Sequence, residues 1–105
     1  MGNLICIARV VELREDLAQL DRSAAMTIKM TFSKDSVIKE SGVRQCSIVQ
    51  HQILRTAEQL RTVNESAYKA QKSSIEKTLK QLRGCISRTV DHSKEYVNYD
   101  STKSA

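Results

Sequence analysis

Val10, Leu13, Leu17, Leu20, Ala24 and Ile28 recur at steps of three and four, with Glu12, Arg14, Glu15, Asp16, Gln19 and Arg22 between them. Such steps keep one face of a 3.6-residue helix apolar, so the spacing predicts an amphipathic first helix. Over residues 26–32 the period changes. Met26, Ile28, Met30 and Phe32 alternate with Thr27, Lys29 and Thr31, the two-residue period of a half-buried strand. A lone strand needs a pairing partner and residues 4–11 are the one candidate, so helix or an extended connection is favoured there. Ser33, Asp35, Ser36, Ser41 and Gly42 concentrate turn chemistry, which predicts the main bend near residues 33–43.

From Cys46 the pattern becomes regular: Cys46, Val49, Ile53, Thr56, Leu60, Val63, Ala67, Ala70 and Ser74 alternate steps of three and four, as a coiled-coil seam does. The register then slips by one residue, and Ile75, Leu79, Leu82 and Ile86 continue it in a new phase. Ser73 with Glu76 matches a capping box, so the chain reads either as a helix restarting there or as one helix with a stutter. As one rod, residues 44–97 would run about 80 Å at the helical rise and would need a partner. Folded at Gly42 and again near Ser73, the same residues make a three-helix bundle. The expected fold is mainly α: a helical hairpin or small bundle with coiled-coil-like seams and a possible short extended segment near 26–32. One domain is expected over residues 1–97, with a flexible tail over 98–105.

Composition sharpens this picture. The chain has no proline and three glycines, so helix breakers are nearly absent. Phe32, Tyr68, Tyr96 and Tyr99 are its only aromatic residues, which leaves few bulky anchors for a self-sufficient core and points to partner helices completing it. Residues 4–13 are too short an apolar run to cross a bilayer, and they lack the basic start and cleavage site of a secretory leader, so a cytoplasmic location is expected.

The net charge of +5 favours acidic partners: nucleic acid, an anionic membrane or an acidic protein face. Lys69, Lys72, Lys80 and Arg83 fall on one broad flank beside the Ile75–Ile86 stripe, interrupted by Glu76, and form a candidate anionic-ligand face. The competing reading is the solvated side of an ordinary helix. Thr27, Lys29 and Thr31 also match the DNA-facing residues of a ribbon-helix-helix strand, although the helix that would follow is short.

Candidate chemistry is sparse. His51 and His92 accompany no nucleophile in a glycine-rich turn, so no catalytic residue is assigned and a non-enzymatic protein is expected. Cys6, Cys46 and Cys85 form no Cys-x-x-Cys pair, which argues for reduced thiols with neither a metal site nor a cofactor. Gly2 followed by Cys6 partly matches an N-myristoylation signal, with Cys6 as a second acylation site, and would make the protein peripheral to a membrane. Glu95-Tyr96-Val97-Asn98 matches a Tyr-x-Asn phosphotyrosine docking site.

Residues 11–15 (Val-Glu-Leu-Arg-Glu), Ile53-Leu54, Ala57, Leu60-Arg61, Asn64 and Ser66 loosely resemble segments of snapin-type subunits of lysosome-biogenesis complexes, given a one-residue gap. That resemblance implies a coiled-coil assembly subunit. The reading that follows is a helical adaptor or assembly subunit in a self- or hetero-oligomer. Val49, Ile53, Leu60, Val63, Leu79, Leu82 and Ile86 would contact partner helices, with Leu13, Leu17 and Leu20 packed on them. A nucleic-acid-binding protein and a lipid-anchored peripheral membrane protein are the alternatives.

Overall fold

The computed structural model describes the backbone of residues 2–104 and the side chains of residues 6–88. It contains three α-helices: α1 (Gly2–Met30), α2 (Ser36–Val63) and α3 (Glu65–Ser104), with no strand among the described residues. They form a small bundle in which α2 packs along both neighbours while α1 and α3 meet less closely. The molecule is elongated, 66 × 27 × 18 Å.

The alternating segment 26–32 is helical up to Met30. Its threonines explain why. Thr27 donates its hydroxyl to the Ala24 carbonyl (3.0 Å) and Thr31 to that of Ile28 (2.6 Å), so each satisfies its own polar group and can be buried against the bundle. The ribbon-helix-helix reading is thereby overturned: Thr27 faces the core from α1 and Thr31 from the turn that follows it, and neither lies on a strand. Past Met30 the chain tightens into i→i+3 bonds, Phe32 N to Lys29 O and Ser33 N to Met30 O.

Asp35 starts α2. Its backbone is extended and its Oδ1 accepts the amides of Val37 (2.9 Å) and Ile38 (3.4 Å), two of the donors a helix start leaves without an internal partner. The bend therefore closes at Asp35, earlier than the turn residues led one to expect, and Gly42 lies inside α2. A Cβ on Gly42 would stand 2.8 Å from Met30 Cβ and 3.0 Å from the Thr31 amide nitrogen, so glycine is there to let α2 pass close to the end of α1.

The second fold of the chain is at Asn64, not near Ser73, which is exposed within α3. One extended residue makes the whole connection. The Asn64 amide donates to the Leu60 carbonyl (2.8 Å), closing α2, while its side-chain oxygen accepts the Ala67 amide (3.0 Å), opening α3. This break, and no stutter, resets the hydrophobic phase: Ala70 and Ser74 are exposed, and Ile75, Leu79, Leu82 and Cys85 form the buried stripe of α3. They pack with Leu13, Leu17 and Ala24 of α1 and Cys46, Val49, Ile53, Ala57 and Leu60 of α2 into one core.

Candidate binding groove

The expected interface residues lie inside this core. Val49, Ile53, Leu60, Leu79 and Leu82 are buried, and Val63 and Ile86 pack half-buried at its edge. Within the chain these faces pack on one another. Leu13 and Leu17 are buried against them and Leu20 is half-buried, as the spacing predicts.

The expected anionic-ligand face is exposed but mixed in charge. Lys72 Nζ lies 4.0 Å from a Glu76 oxygen, and Arg83 shares a depression between α2 and α3 with Glu58 and Glu76. Lys69 and Lys80 are exposed. Cys6 is an exposed free thiol, whereas Gly2, the Tyr96 motif, His92 and the expected tail over 98–105 lie outside the residues whose side chains are described. His51 is exposed. No group of three or more His, Cys, Asp or Glu among the described residues could hold a metal ion, and no helix there is long and apolar enough to cross a membrane.

A concave apolar surface appears elsewhere, where α1 and α3 fail to close over α2. At the end of the bundle near the α1–α2 turn this opening is a groove of about 620 Å³ lined by Ala25, Ile28 and Phe32 on one side and Gln81, Gly84, Cys85 and Arg88 on the other. Phe32 is 63% exposed there, and a Cβ on Gly84 would meet nothing within 4 Å, so the α3 backbone itself is open to whatever approaches. Further along the same opening, a space of about 170 Å³ lies over Ile53 between Leu17 and Ala18 of α1 and Ser74 and Ile75 of α3. Between the two, the Thr78 hydroxyl donates to the Asp21 carboxylate and ties α3 to α1.

Arg88 organises the groove end. Its guanidinium stands 4.5 Å from the Phe32 ring centroid, a cation–π contact, and Nη2 donates to the Cys85 sulfur (3.2 Å). It thus links α3 to the turn after α1. Cys46 lies deeper in the core. Burial pushes its thiol pKa up, opposed by a hydrogen bond with Thr27 and reinforced by neighbouring Cys85.

The primary hydrophobic spacing does not reveal this groove, and a second, weaker stripe marks only its α1 side. Val11, Ala18, Ala25 and Phe32 recur at steps of seven beside the core face of α1. All four are exposed, and Ala18, Ala25 and Phe32 line the opening. Comparison with protein-family models, curated proteins and solved structures finds no match, so the functional reading of this groove rests on its own geometry.

Proposed function

We propose that the chain is a non-enzymatic helical adaptor or assembly subunit whose working surface is the groove between α1 and α3. The observation that carries this reading is the open apolar groove at Ala25, Ile28, Phe32, Gly84 and Cys85, beside a core that the chain otherwise completes by itself. Two helix faces standing apart with apolar side chains between them provide the seat used in helix-in-groove recognition. Exposing an aromatic ring and bare α3 backbone to water has no advantage for the isolated bundle, and a bound apolar side chain would bury both.

The test places a photo-crosslinking amino acid at position 84, whose side chain enters open space, and for comparison at Arg55 on the exposed side of α2. An adaptor yields protein adducts in cells from position 84 and not from 55. Equal labelling at both positions, or none at 84, refutes the reading.

A further inference from the structure

The charge around the groove identifies the chemistry of its occupant. Residues 22–34 of the chain hold Arg22, Lys29 and Lys34 and no acid, and residues 77–88 hold Lys77, Lys80, Arg83 and Arg88 and no acid. Arg22 and Lys29 stand three residues before and four after Ala25, on the same edge of α1. Lys77, Lys80 and Arg88 stand seven and four residues before and four after Gly84, on the matching edge of α3. All five are exposed. Asp21 is the acid next along the α1 edge, and its carboxylate is already engaged by Thr78. The other end of α1 differs, since Glu12, Glu15 and Asp16 offset Arg9 and Arg14 there. Arg88 lines the groove itself, and helical spacing sets the other four on exposed positions of α1 and α3 beside it, between Asp21 and Asp35 on one side and after Glu76 on the other.

We infer that this groove binds an acidic amphipathic helix of another protein, a proposal that rests on the adaptor reading and specifies its partner. Residues 81–88 present about 10 Å of α3 along one side of the groove at the helical rise, the length of two turns. The matching ligand carries apolar side chains at i, i+3 or i+4, and i+7, which settle on Ile28, Phe32 and Cys85. Glu or Asp on its flanks meets Arg22 and Lys29 on one side and Lys77, Lys80 and Arg88 on the other. Ala25 and Gly84 let its backbone come close, since neither fills the space a larger residue would. Rim charges of this kind speed encounter and select the partner, while the apolar groove holds it.

The experiment uses the full chain and a fluorescein-labelled peptide of about 15 residues, with Leu at i, i+3 and i+7 and Glu and Ala elsewhere. A control peptide keeps the Leu positions and replaces Glu with Lys. The acidic peptide is expected to bind saturably, at least ~10-fold more tightly than the basic one, and to weaken as salt is raised. Lys29→Glu combined with Lys77→Glu is expected to abolish that preference. Gly84→Trp introduces an indole at a groove-lining position whose Cβ meets nothing within 4 Å, and it should remove binding while the helical circular dichroism is unchanged. If both peptides bind equally and Gly84→Trp removes both, the acidic partner is overturned and the adaptor groove stands. The inference also fails if the acidic peptide does not bind at low salt, or if its binding survives Gly84→Trp. Doubling of the chain's own mass, abolished by Gly84→Trp, would overturn it as well, because the occupant would then be a second copy.

Discussion

Two glycines in helices have opposite meanings, and only their neighbours distinguish them. Replacing glycine with alanine inside a helix ordinarily stabilises it by about 0.5–1 kcal/mol, through lost freedom of the unfolded chain. Gly84→Ala is expected to show that gain in urea unfolding, since its Cβ meets nothing. Gly42→Ala is expected to destabilise by about 1–3 kcal/mol, because the new methyl collides with Met30 Cβ and the backbone at Thr31, neither of which can swing aside. Cys46 supplies a second test. Its folded pKa lies above the ordinary thiol value, so at alkaline pH the unfolded chain releases this proton first. The contribution is complete below about pH 9 and is lost as pH rises beyond it. Relative to Cys46→Ala, the wild-type chain should lose stability over that window. Equal slopes in the two proteins would count against a buried, neutral thiol.

The element scale is governed by the two connections. Asn64 ends one helix and begins the next within a single residue, so Asn64→Ala removes the acceptor for the Ala67 amide and is expected to cost about 1 kcal/mol, measured as a lower urea midpoint. Neither connection was legible at its true position from turn-residue content. Gly42 looked like a turn residue and is a packing residue, and Ser73 with Glu76 looked like a cap and lies within α3. A cap signal is read from two or three side chains, whereas a helix stops where its backbone groups find better partners outside the helix. At Asn64 both the amide and the side-chain oxygen do so.

For the whole molecule, the core is the deciding fact. Leu60 is fully buried in it, and a carboxylate there would have no partner. Leu60→Asp is therefore expected to unfold the bundle, since the cost of burying that charge, several kcal/mol, is comparable with the whole stability of a small domain. Loss of the helical circular dichroism signal checks this, and a folded, merely dissociated chain would contradict an internal seam. Sedimentation equilibrium of the purified chain should likewise return the mass of one helical chain, with higher mass appearing when a partner helix is added.

The three-four spacing of Leu13, Leu17, Val49, Ile53, Leu60, Leu79 and Leu82 was enough to determine a mainly helical fold and nearly all of the core, because helical periodicity is a local property that survives any arrangement of the helices. Whose helices those faces would meet was not determined. An apolar seam is equally satisfied by its own chain or by another, and one bend at Asp35 with one at Asn64 brings all three faces together. The groove was still less legible. Ala25, Phe32, Gly84 and Arg88 are far apart in sequence and individually ordinary, and they acquire a common purpose only where α1 and α3 stand apart. That separation depends on how side chains of different helices fit together, which no single stretch of sequence contains.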